Sequence, residues 1–289
     1  MEYNRNEGAG KKFVEGILAS CAIMLLFMML QVFVSLVGTT AALTAHMLSA
    51  GGDADQALNA LWDTTSGGRF MTLLTLVATL VSTLFSLPAY WIVWGRKRTE
   101  QDRRYFREKV LRIKPFAMIV IACCGLYYVA ILISAVIAVV SPDTMEAYNE
   151  MMDMALGGSE ILAMMAAVLL APINEECIMR GLILRNLQRH FSMPAAIVIQ
   201  AVLFGIFHAN WVQGIYVLPV GAALGYVAVK SRSVIPCVFM HLFYNMLTFV
   251  AAMLPEFCQT WAFAIGVVVA SALAVWYMGR AERGTQSAG

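Results

Sequence analysis

Six polar residues lie inside segments that are otherwise apolar, and their types could carry out hydrolysis. They are Glu175, Glu176 and Arg180 in NEECIMRG, His208 in FGIFHAN, and His241 and Asn245 in MHLFYNM. Ionisable groups at bilayer depth are costly, so they are rare and usually mark a functional site. Two carboxylates, two imidazoles and an amide offer a general base with oxyanion donors, or alternatively ligands for a metal ion. Hydrolysis inside a membrane is therefore our first functional hypothesis.

The acidic motif predicts different roles for its two glutamates. Pro172 removes one backbone donor, so we expect a kink shortly before the motif. Glu176 and Arg180 are four residues apart and share one helical face, which predicts an internal ion pair. Glu175 points about 100° away from that face and, shielded from water, would be a competent proton acceptor. In the alternative interpretation, both glutamates simply end a span at the cytoplasmic interface.

The two histidine motifs occur on later apolar segments. His241 and Asn245 are four residues apart, so they share a face that should point away from lipid. Each polar group alone is compatible with a structural hydrogen bond between helices, but all of them together favour a reaction site. At about 1.5 Å per residue, Glu175 and His208 both lie roughly 20 Å from the cytoplasmic ends of their helices, whereas His241 is shallower. A common site therefore requires tilted or staggered helices.

The elements that must position these residues are membrane helices. The chain has 289 residues, of which 60% are hydrophobic and 13% charged, and its mean hydropathy is +0.72. A soluble domain carries about twice that share of charged residues. The apolar runs are continuous rather than alternating, which argues against a β-barrel. We predict an all-α, polytopic membrane helix bundle of eight spans, at 13–41, 70–94, 116–140, 159–178, 194–211, 213–229, 234–254 and 258–278.

Basic residues predict the orientation of the bundle. In the eight-span topology, 19 of the 20 Lys and Arg residues fall on one side, and only Arg69 falls on the other. The positive-inside rule makes the basic side the cytoplasm, so both termini are predicted to be cytoplasmic. The compact loops are typical of a bacterial protein, which predicts an integral protein of the bacterial plasma membrane.

The longest basic segment, residues 95–114, holds nine Lys or Arg residues. Its apolar residues have the spacing of an amphipathic helix on anionic headgroups, but a solvated loop that only sets the topology explains the charge equally well. We divide the chain into N-terminal spans with this basic loop (1–115), a core (116–280) whose motifs lie within 155–254, and a polar tail (281–289). A membrane-flanked segment of this size argues against binding to nucleic acid.

The three motifs resemble those of a known protease family. APINEECIMRG is similar to the EExxxR motif of the CPBP intramembrane proteases, which include CAAX prenyl proteases and bacteriocin-processing or immunity-associated membrane proteins. FGIFH (204–208) resembles the family's FxxxH motif, and HLFYN (241–245) resembles its HxxxN motif. The resemblance covers residues 155–254, and it departs at Met179, where many members have Phe before the arginine.

The resemblance implies a reaction, the hydrolysis of a peptide bond in or near the membrane. By this analogy Glu175 would be the general base that activates a water, and His208 would help to hold that water. His241 and Asn245 would stabilise the oxyanion of the tetrahedral intermediate. The implied substrate is a membrane-associated peptide or protein, and we favour a peptide precursor or membrane protein over a prenylated CAAX protein.

The resemblance leaves the cofactor open, because the family has been described both as metal-dependent and as glutamate-dependent. Glu175, His208 and His241 could instead be ligands of zinc or another divalent cation with an open position for water. Asn245 suits an oxyanion donor better than a zinc ligand, so we expect a reaction without a cofactor.

Two other functional classes compete with the protease. A non-catalytic immunity or binding protein of the same fold would need neither a base nor oxyanion donors. A transporter also carries charges in the membrane, but no inverted repeat is visible and only one span is clearly broken. The complete set of motifs therefore favours an enzyme, in which the resemblance gives Glu176 and Arg180 a supporting role in shaping the site. The expected partners are the lipid bilayer and the substrate.

Overall fold

The computed structural model describes residues 2–66 and 68–286, and the side chains of residues 13–66, 68–251 and 253–277. These described residues form eleven helices and no strand, which confirms the predicted all-α fold. In chain order the helices are α1 (Glu2–Ser49), α2 (Ala54–Ser66), α3 (Arg69–Val93), α4 (Glu100–Tyr105), α5 (Ile113–Val140), α6 (Pro142–Leu156), α7 (Glu160–Leu187), α8 (Met193–Phe207), α9 (Trp211–Ser231), α10 (Ile235–Val250) and α11 (Trp261–Gln286).

Eight apolar helices coincide with the eight predicted spans, but they differ in length. Five are long and apolar enough to cross a membrane, namely Phe13–Ser49, Arg69–Lys97, Ile113–Val140, Glu160–Leu187 and Trp211–Ser231. The other three are Met193–Phe207, Ile235–Val250 and Trp261–Tyr277, each of 10–17 residues. A straight crossing needs about 20 residues. The predicted spans 194–211 and 234–254 are too long because each includes the turn that follows its helix.

The basic segment 95–114 is largely helical. It contains α4, which begins with a capping box: the Asp102 N–H donates to Thr99 Oγ1 at 3.1 Å, and the Thr99 N–H donates to Asp102 Oδ2 at 3.2 Å. Such reciprocal bonds satisfy backbone donors that a helix start leaves open. A π-helical stretch, Phe106–Val110, follows. The helical form agrees with the amphipathic-helix interpretation, while contact with lipid headgroups stays a prediction.

The chain ends were predicted to be cytoplasmic, and that orientation stays a prediction. α11 continues to Gln286, so the first part of the predicted polar tail is helical, and residues 287–289 lie outside the described residues. Five basic residues used for the topology have side chains outside the described ones: Arg5, Lys11, Lys12, Arg280 and Arg283.

The helices group into two compact units. Residues 1–95 and 143–192 form the first unit, which holds α1, α2, α3, α7 and nearly all of α6. Residues 96–142 and 193–289 form the second unit, which holds α4, α5, α8, α9, α10 and α11.

In the first unit, α3 and α7 run parallel to each other. At one end the Gly158 N–H, just before α7, donates to Thr72 Oγ1 on α3 at 3.3 Å. Further along, the ring of Tyr90 packs against Gly181, where a Cβ atom would lie 2.6 Å from the ring. A glycine at this position therefore allows close approach of the aromatic ring to the α7 backbone. This pairing places one face of α3 along the acidic motif.

The buried face of α3 is its polar face. The buried hydroxyl residues are Thr72, Thr79, Ser82, Thr83 and Ser86, whereas Leu84, Phe85 and Leu87 are exposed. Hydrocarbon cannot hydrogen-bond to hydroxyl groups, so a membrane helix gains by turning such groups toward other helices. The buried hydroxyl groups of α3 therefore offer hydrogen-bond donors to α7 in the middle of an apolar span.

In the second unit, α5 contacts α9, α10 and α11, and α8 packs along α9. The α8–α9 contact is close at several glycines. A Cβ atom at Gly205 would lie 2.6 Å from the carbonyl oxygen of Gly214, and one at Gly221 would lie 3.1 Å from the ring of Phe204. Small residues permit such backbone contact between membrane helices. Gly221 and Gly225 have the GxxxG spacing that is typical of close helix packing, and both lie against side chains of α8.

Candidate active site

The acidic motif lies on an irregular part of α7. A short α-helical segment, Ala171–Glu176, is flanked by two π-helical stretches, Met164–Leu170 and Cys177–Ile183. Pro172 stands near the start of the central segment, where the sequence predicts a break. In π-helical turns the hydrogen bonds reach one residue further than in an α-helix, so the side chains that follow are rotated; such turns are frequent at functional sites.

Glu176 and Arg180 form the ion pair that their spacing predicts. Arg180 Nη1 donates to Glu176 Oε1 at 2.8 Å, and both side chains are fully buried. Outside water, an isolated charge at either position would be strongly unfavourable, so each residue stabilises the other. The helix continues to Leu187 with this pair buried inside the protein. Where the span ends relative to the two glutamates stays a prediction.

Asn174, directly before the two glutamates, is held by α3. Ser86 Oγ donates to Asn174 Oδ1 at 2.7 Å, and Ser82 Oγ donates to the same oxygen at 3.0 Å. All three side chains are buried, and Gln31 Nε2 on α1 donates to Ser82 Oγ at 3.4 Å. Sequence reasoning missed this contact. The available signal was the set of hydroxyl residues repeated at helical spacing in an apolar span.

The two histidines are brought together by an aromatic ring. Phe204, which opens the FxxxH motif, has its ring centroid 4.7 Å from that of His208 and 5.9 Å from that of His241. Both imidazoles are almost perpendicular to the ring, at 81° and 86°, an edge-to-face geometry that aromatic groups favour. Sequence analysis placed the two histidines in one site but did not predict that both imidazoles contact the ring of Phe204.

His208 has one ring nitrogen committed to its own helix. Nδ1 lies 2.8 Å from the carbonyl oxygen of Phe204. A proton on Nδ1 would donate to that carbonyl, and in this tautomer Nε2 is a hydrogen-bond acceptor. The next residue, Ala209, has a left-handed backbone with φ of 52°, and Asn210 then caps α9 by accepting from the Gln213 N–H at 3.1 Å. His208 therefore sits where α8 turns sharply into α9.

His241 and Asn245 lie one turn apart on α10, as their spacing predicts. His241 is buried, with 5% of its surface exposed, and Asn245 is half-buried. The Tyr244 ring between them in sequence is 6.4 Å from that of Tyr127 on α5, which fixes this part of α10 against the centre of the second unit. The amide and the imidazole thus occupy a well-packed helix rather than a loop.

Glu175, Glu176 and Arg180 belong to the first unit, and His208, His241 and Asn245 belong to the second. Within the first unit, the structure pairs Glu176 with Arg180. Within the second, it places both histidines on Phe204. That the two sets act on one water stays a prediction.

Within either unit, the described residues contain no group of three His, Cys, Asp or Glu side chains that could hold a metal ion. The alternative ligand set of Glu175, His208 and His241 draws on both units, so it stays a prediction.

A comparison with protein families concerns all three polar motifs together. The family model described as type II CAAX prenyl endopeptidase Rce1-like matches residues 157–247, just under a third of the chain. The matched segment contains all three polar motifs in order. Searches among curated proteins and among solved structures found no match. The predicted resemblance to CPBP proteases is confirmed over residues 157–247, and at the level of family it supports a membrane-embedded endopeptidase of the CAAX type.

Proposed function

We propose that the protein is an intramembrane endopeptidase that hydrolyses a peptide bond of a membrane-associated peptide or protein. The observation that carries the proposal is the family match over residues 157–247, because it contains the acidic motif and both histidine motifs. The geometry of the first unit supports a division of labour. Since Glu176 is engaged by Arg180 inside the protein, the role of general base falls to Glu175.

The reaction proposed for these groups is acyl transfer to water. Glu175 takes one proton from the water, and the oxygen attacks the carbonyl carbon of the scissile peptide. His208 accepts a hydrogen bond from the same water through Nε2. His241 and Asn245 donate to the oxyanion that forms. The C–N bond then breaks, and Glu175 returns the proton to the leaving amine, so the base is regenerated.

Glu176 and Arg180 have a supporting role in this proposal. Together they carry no net charge, so they can stay buried in the bilayer beside the reacting carboxylate at lower cost than either alone. Their ion pair spans the junction between the α-helical segment and the π-helical stretch that follows. It thereby stiffens the part of α7 that carries Glu175.

The proposed substrate class is a peptide precursor or a membrane protein, presented from the lipid bilayer. The matching family model is described as a CAAX prenyl endopeptidase, so prenylated peptides are the alternative substrate class. A substrate panel therefore needs both kinds of probe: a farnesylated CAAX-type peptide and a set of unprenylated single-span peptides.

The test compares Glu175→Gln with the wild-type protein in proteoliposomes containing that panel. Loss of the base should reduce cleavage by about 10²–10⁴-fold. Glu160→Gln is the matched control, because Glu160 is exposed at the start of the same helix. The control should cleave normally. Undiminished cleavage by Glu175→Gln would show that this mechanism is wrong. A host phenotype that survives every motif substitution would favour the non-catalytic binding protein.

Treatment with a chelator distinguishes the reaction without a cofactor from the metal-dependent reaction. The proposal without a cofactor expects the same cleavage rate before and after exhaustive chelation. If chelation abolishes cleavage and zinc restores it, the metal version is right, with Glu175, His208 and His241 as ligands and the metal ion lowering the pKa of bound water.

A further inference from the structure

Two hydroxyl groups of α3 converge on a single oxygen of α7. Ser82 and Ser86 are fully buried, and both donate to Asn174 Oδ1, at 3.0 and 2.7 Å. A carbonyl oxygen has two lone pairs, so these two bonds use its full accepting capacity. The contact joins residues 92 and 88 positions apart in the sequence, and its atoms are out of contact with solvent.

The other hydroxyls on this part of α3 do not share this arrangement. Thr83 Oγ1 donates at 2.7 Å to the carbonyl of Thr79 on its own helix. Thr83 is also buried, so burial alone does not explain why Ser82 and Ser86 reach across to α7. The convergence on Asn174 is a specific contact between two helices.

The position of Asn174 gives this contact its significance. It lies within Ala171–Glu176, the short α-helical segment between two π-helical stretches, and it directly precedes Glu175. A π-helical turn changes the rotation of the residues that follow it, so regular helical geometry does not by itself determine where this segment points. A hydrogen bond from another helix to one side chain of the segment can fix its rotation about the helix axis. The direction of each neighbouring side chain is then set by the covalent geometry of the helix.

We propose that Ser82 and Ser86 are positioning residues, which hold Asn174 and thereby fix the rotation of Ala171–Glu176 so that the Glu175 carboxylate points toward its water. The inference rests on the proposed function of Glu175. Asn174 lies on the opposite side of Glu175 in sequence from the ion-paired Glu176, so the reacting carboxylate is flanked by two fixed neighbours.

The contact of Asn174 with the two serines also explains the polar face of α3. A serine costs more than an alanine in a lipid-exposed helix, and its hydroxyl stabilises the protein only where it finds a partner. Gln31 on α1 donates to Ser82 at 3.4 Å and extends the network to a third helix. Three helices of the first unit therefore contribute to the orientation of one short segment.

The experiment removes one oxygen at a time. Ser82→Ala, Ser86→Ala and the double variant are compared in proteoliposomes with the farnesylated CAAX-type peptide and the unprenylated single-span peptides. The double variant should lose about 10–100-fold in kcat, because a Glu175 carboxylate held in the wrong orientation takes the proton from water more slowly. KM should stay within about twofold, since the serines touch no part of the substrate in the proposed mechanism. Each single variant should lose about threefold or less, because Asn174 keeps one donor.

Thr83→Val is the matched control. It removes a buried hydroxyl one residue from Ser82, but that hydroxyl donates to the Thr79 carbonyl within α3. Its kcat should equal that of the wild type. A double variant with wild-type kcat, or one whose KM rises as much as its kcat falls, would overturn the positioning role.

A second measurement does not depend on turnover. Dicyclohexylcarbodiimide modifies carboxyl groups in membranes, and mass spectrometry gives the modification rate of Glu175. That rate should change at least threefold in the double variant and stay constant in Thr83→Val. An unchanged rate would contradict the proposal even if no peptide is cleaved. If Glu175→Gln stays active while the double variant changes the modification rate of Glu175, the two serines do position Glu175 but the proposed function is wrong. The two measurements therefore distinguish a failure of the positioning role from a failure of the proposed function.

The double variant also needs a check of folding. If it does not accumulate in the membrane, Ser86→Ala decides, because it removes the shorter of the two bonds. Its modification rate at Glu175 must then differ measurably from that of Thr83→Val, and equal rates would overturn the proposal.

Discussion

The acidic motif and the histidine motifs are held in place by different forces. In the first unit, α7 carries two opposite charges and an amide, and each of these three side chains is engaged by a hydrogen bond or an ion pair inside the protein. In the second unit, α8 approaches α9 through glycines, and the two imidazoles pack on the ring of Phe204. Hydrogen bonds and an ion pair hold the acidic motif, whereas close packing of helices and rings dominates around the histidine motifs.

The difference follows from charge. A carboxylate or guanidinium in hydrocarbon requires a partner, because its desolvation cost is several kcal/mol. A neutral imidazole carries a smaller penalty. Packing against an aromatic ring can therefore orient it together with a single hydrogen bond, such as that between His208 and the Phe204 carbonyl. The comparison therefore predicts that the first unit is most sensitive to loss of a polar partner, whereas the second is most sensitive to added volume.

The largest expected effect is the loss of Arg180. Arg180→Met leaves the Glu176 carboxylate buried without its cation, which should cost about 3–5 kcal/mol in the free energy of unfolding. Unfolding in mixed micelles measures this loss. The matched control is Glu176→Met combined with Arg180→Met, which removes both charges and should recover most of the stability. If Arg180→Met alone unfolds like the wild type, the ion pair is not what holds this part of α7.

The next effect concerns added volume in the second unit. In Gly205→Ala the new methyl group would meet the carbonyl oxygen of Gly214, so α8 and α9 must move apart. Overpacking of this kind costs about 1–3 kcal/mol. The same measurement on Gly266→Ala provides the control, because Gly266 on α11 has no neighbour within 4 Å of the added atom. That variant should be neutral or more stable by up to about 1 kcal/mol, as alanine favours helices. Equal losses in both variants would contradict the close-packing argument.

The smallest effect comes from a charge that is only partly buried, that of Asp102. The hydroxyl of Thr99 lowers the pKa of Asp102 below its ordinary value of 3.8, with a further contribution from Arg232 and against the opposing effect of burial. A lowered pKa means that the carboxylate stabilises α4 above pH 3.8 and that this stabilisation is lost as the pH falls through the lowered value. Hydrogen exchange of residues 100–105, corrected for the intrinsic pH dependence, should therefore show α4 opening in acid.

Asp102→Asn is the reference for that experiment. It removes the titrating group, so the opening of α4 should no longer depend on pH in this range. Thr99→Ala should raise the pH at which α4 opens, because it removes the hydrogen bond that contributes most to the lowered pKa of Asp102. Acid opening that is identical in wild type and Asp102→Asn would mean that another group controls it. The effect is small beside that of Arg180 because water screens a charge that is partly exposed.

Contacts between near neighbours in the sequence could be predicted, and contacts between distant helices could not. The pair Glu176–Arg180 and the packing of Gly221 and Gly225 follow from helical spacing, and the structure contains both. Asn174 contacts Ser86, which is 88 positions away in the sequence, and helical periodicity relates only residues a few positions apart. The π-helical stretches of α7 were also missed, because the sequence showed one proline and not the altered hydrogen bonds on either side of it.

The sequence by itself determined the class of the protein and its chemical groups. Long apolar runs require helices in a membrane, since only internal hydrogen bonds satisfy the backbone there, and three motifs in order indicate a protease family. The tertiary structure decided how those groups are held: Glu176 by Arg180, Asn174 by two serines, and the histidines by Phe204. Helical periodicity is a local property of the chain, whereas the partner of a buried side chain depends on which helices pack together.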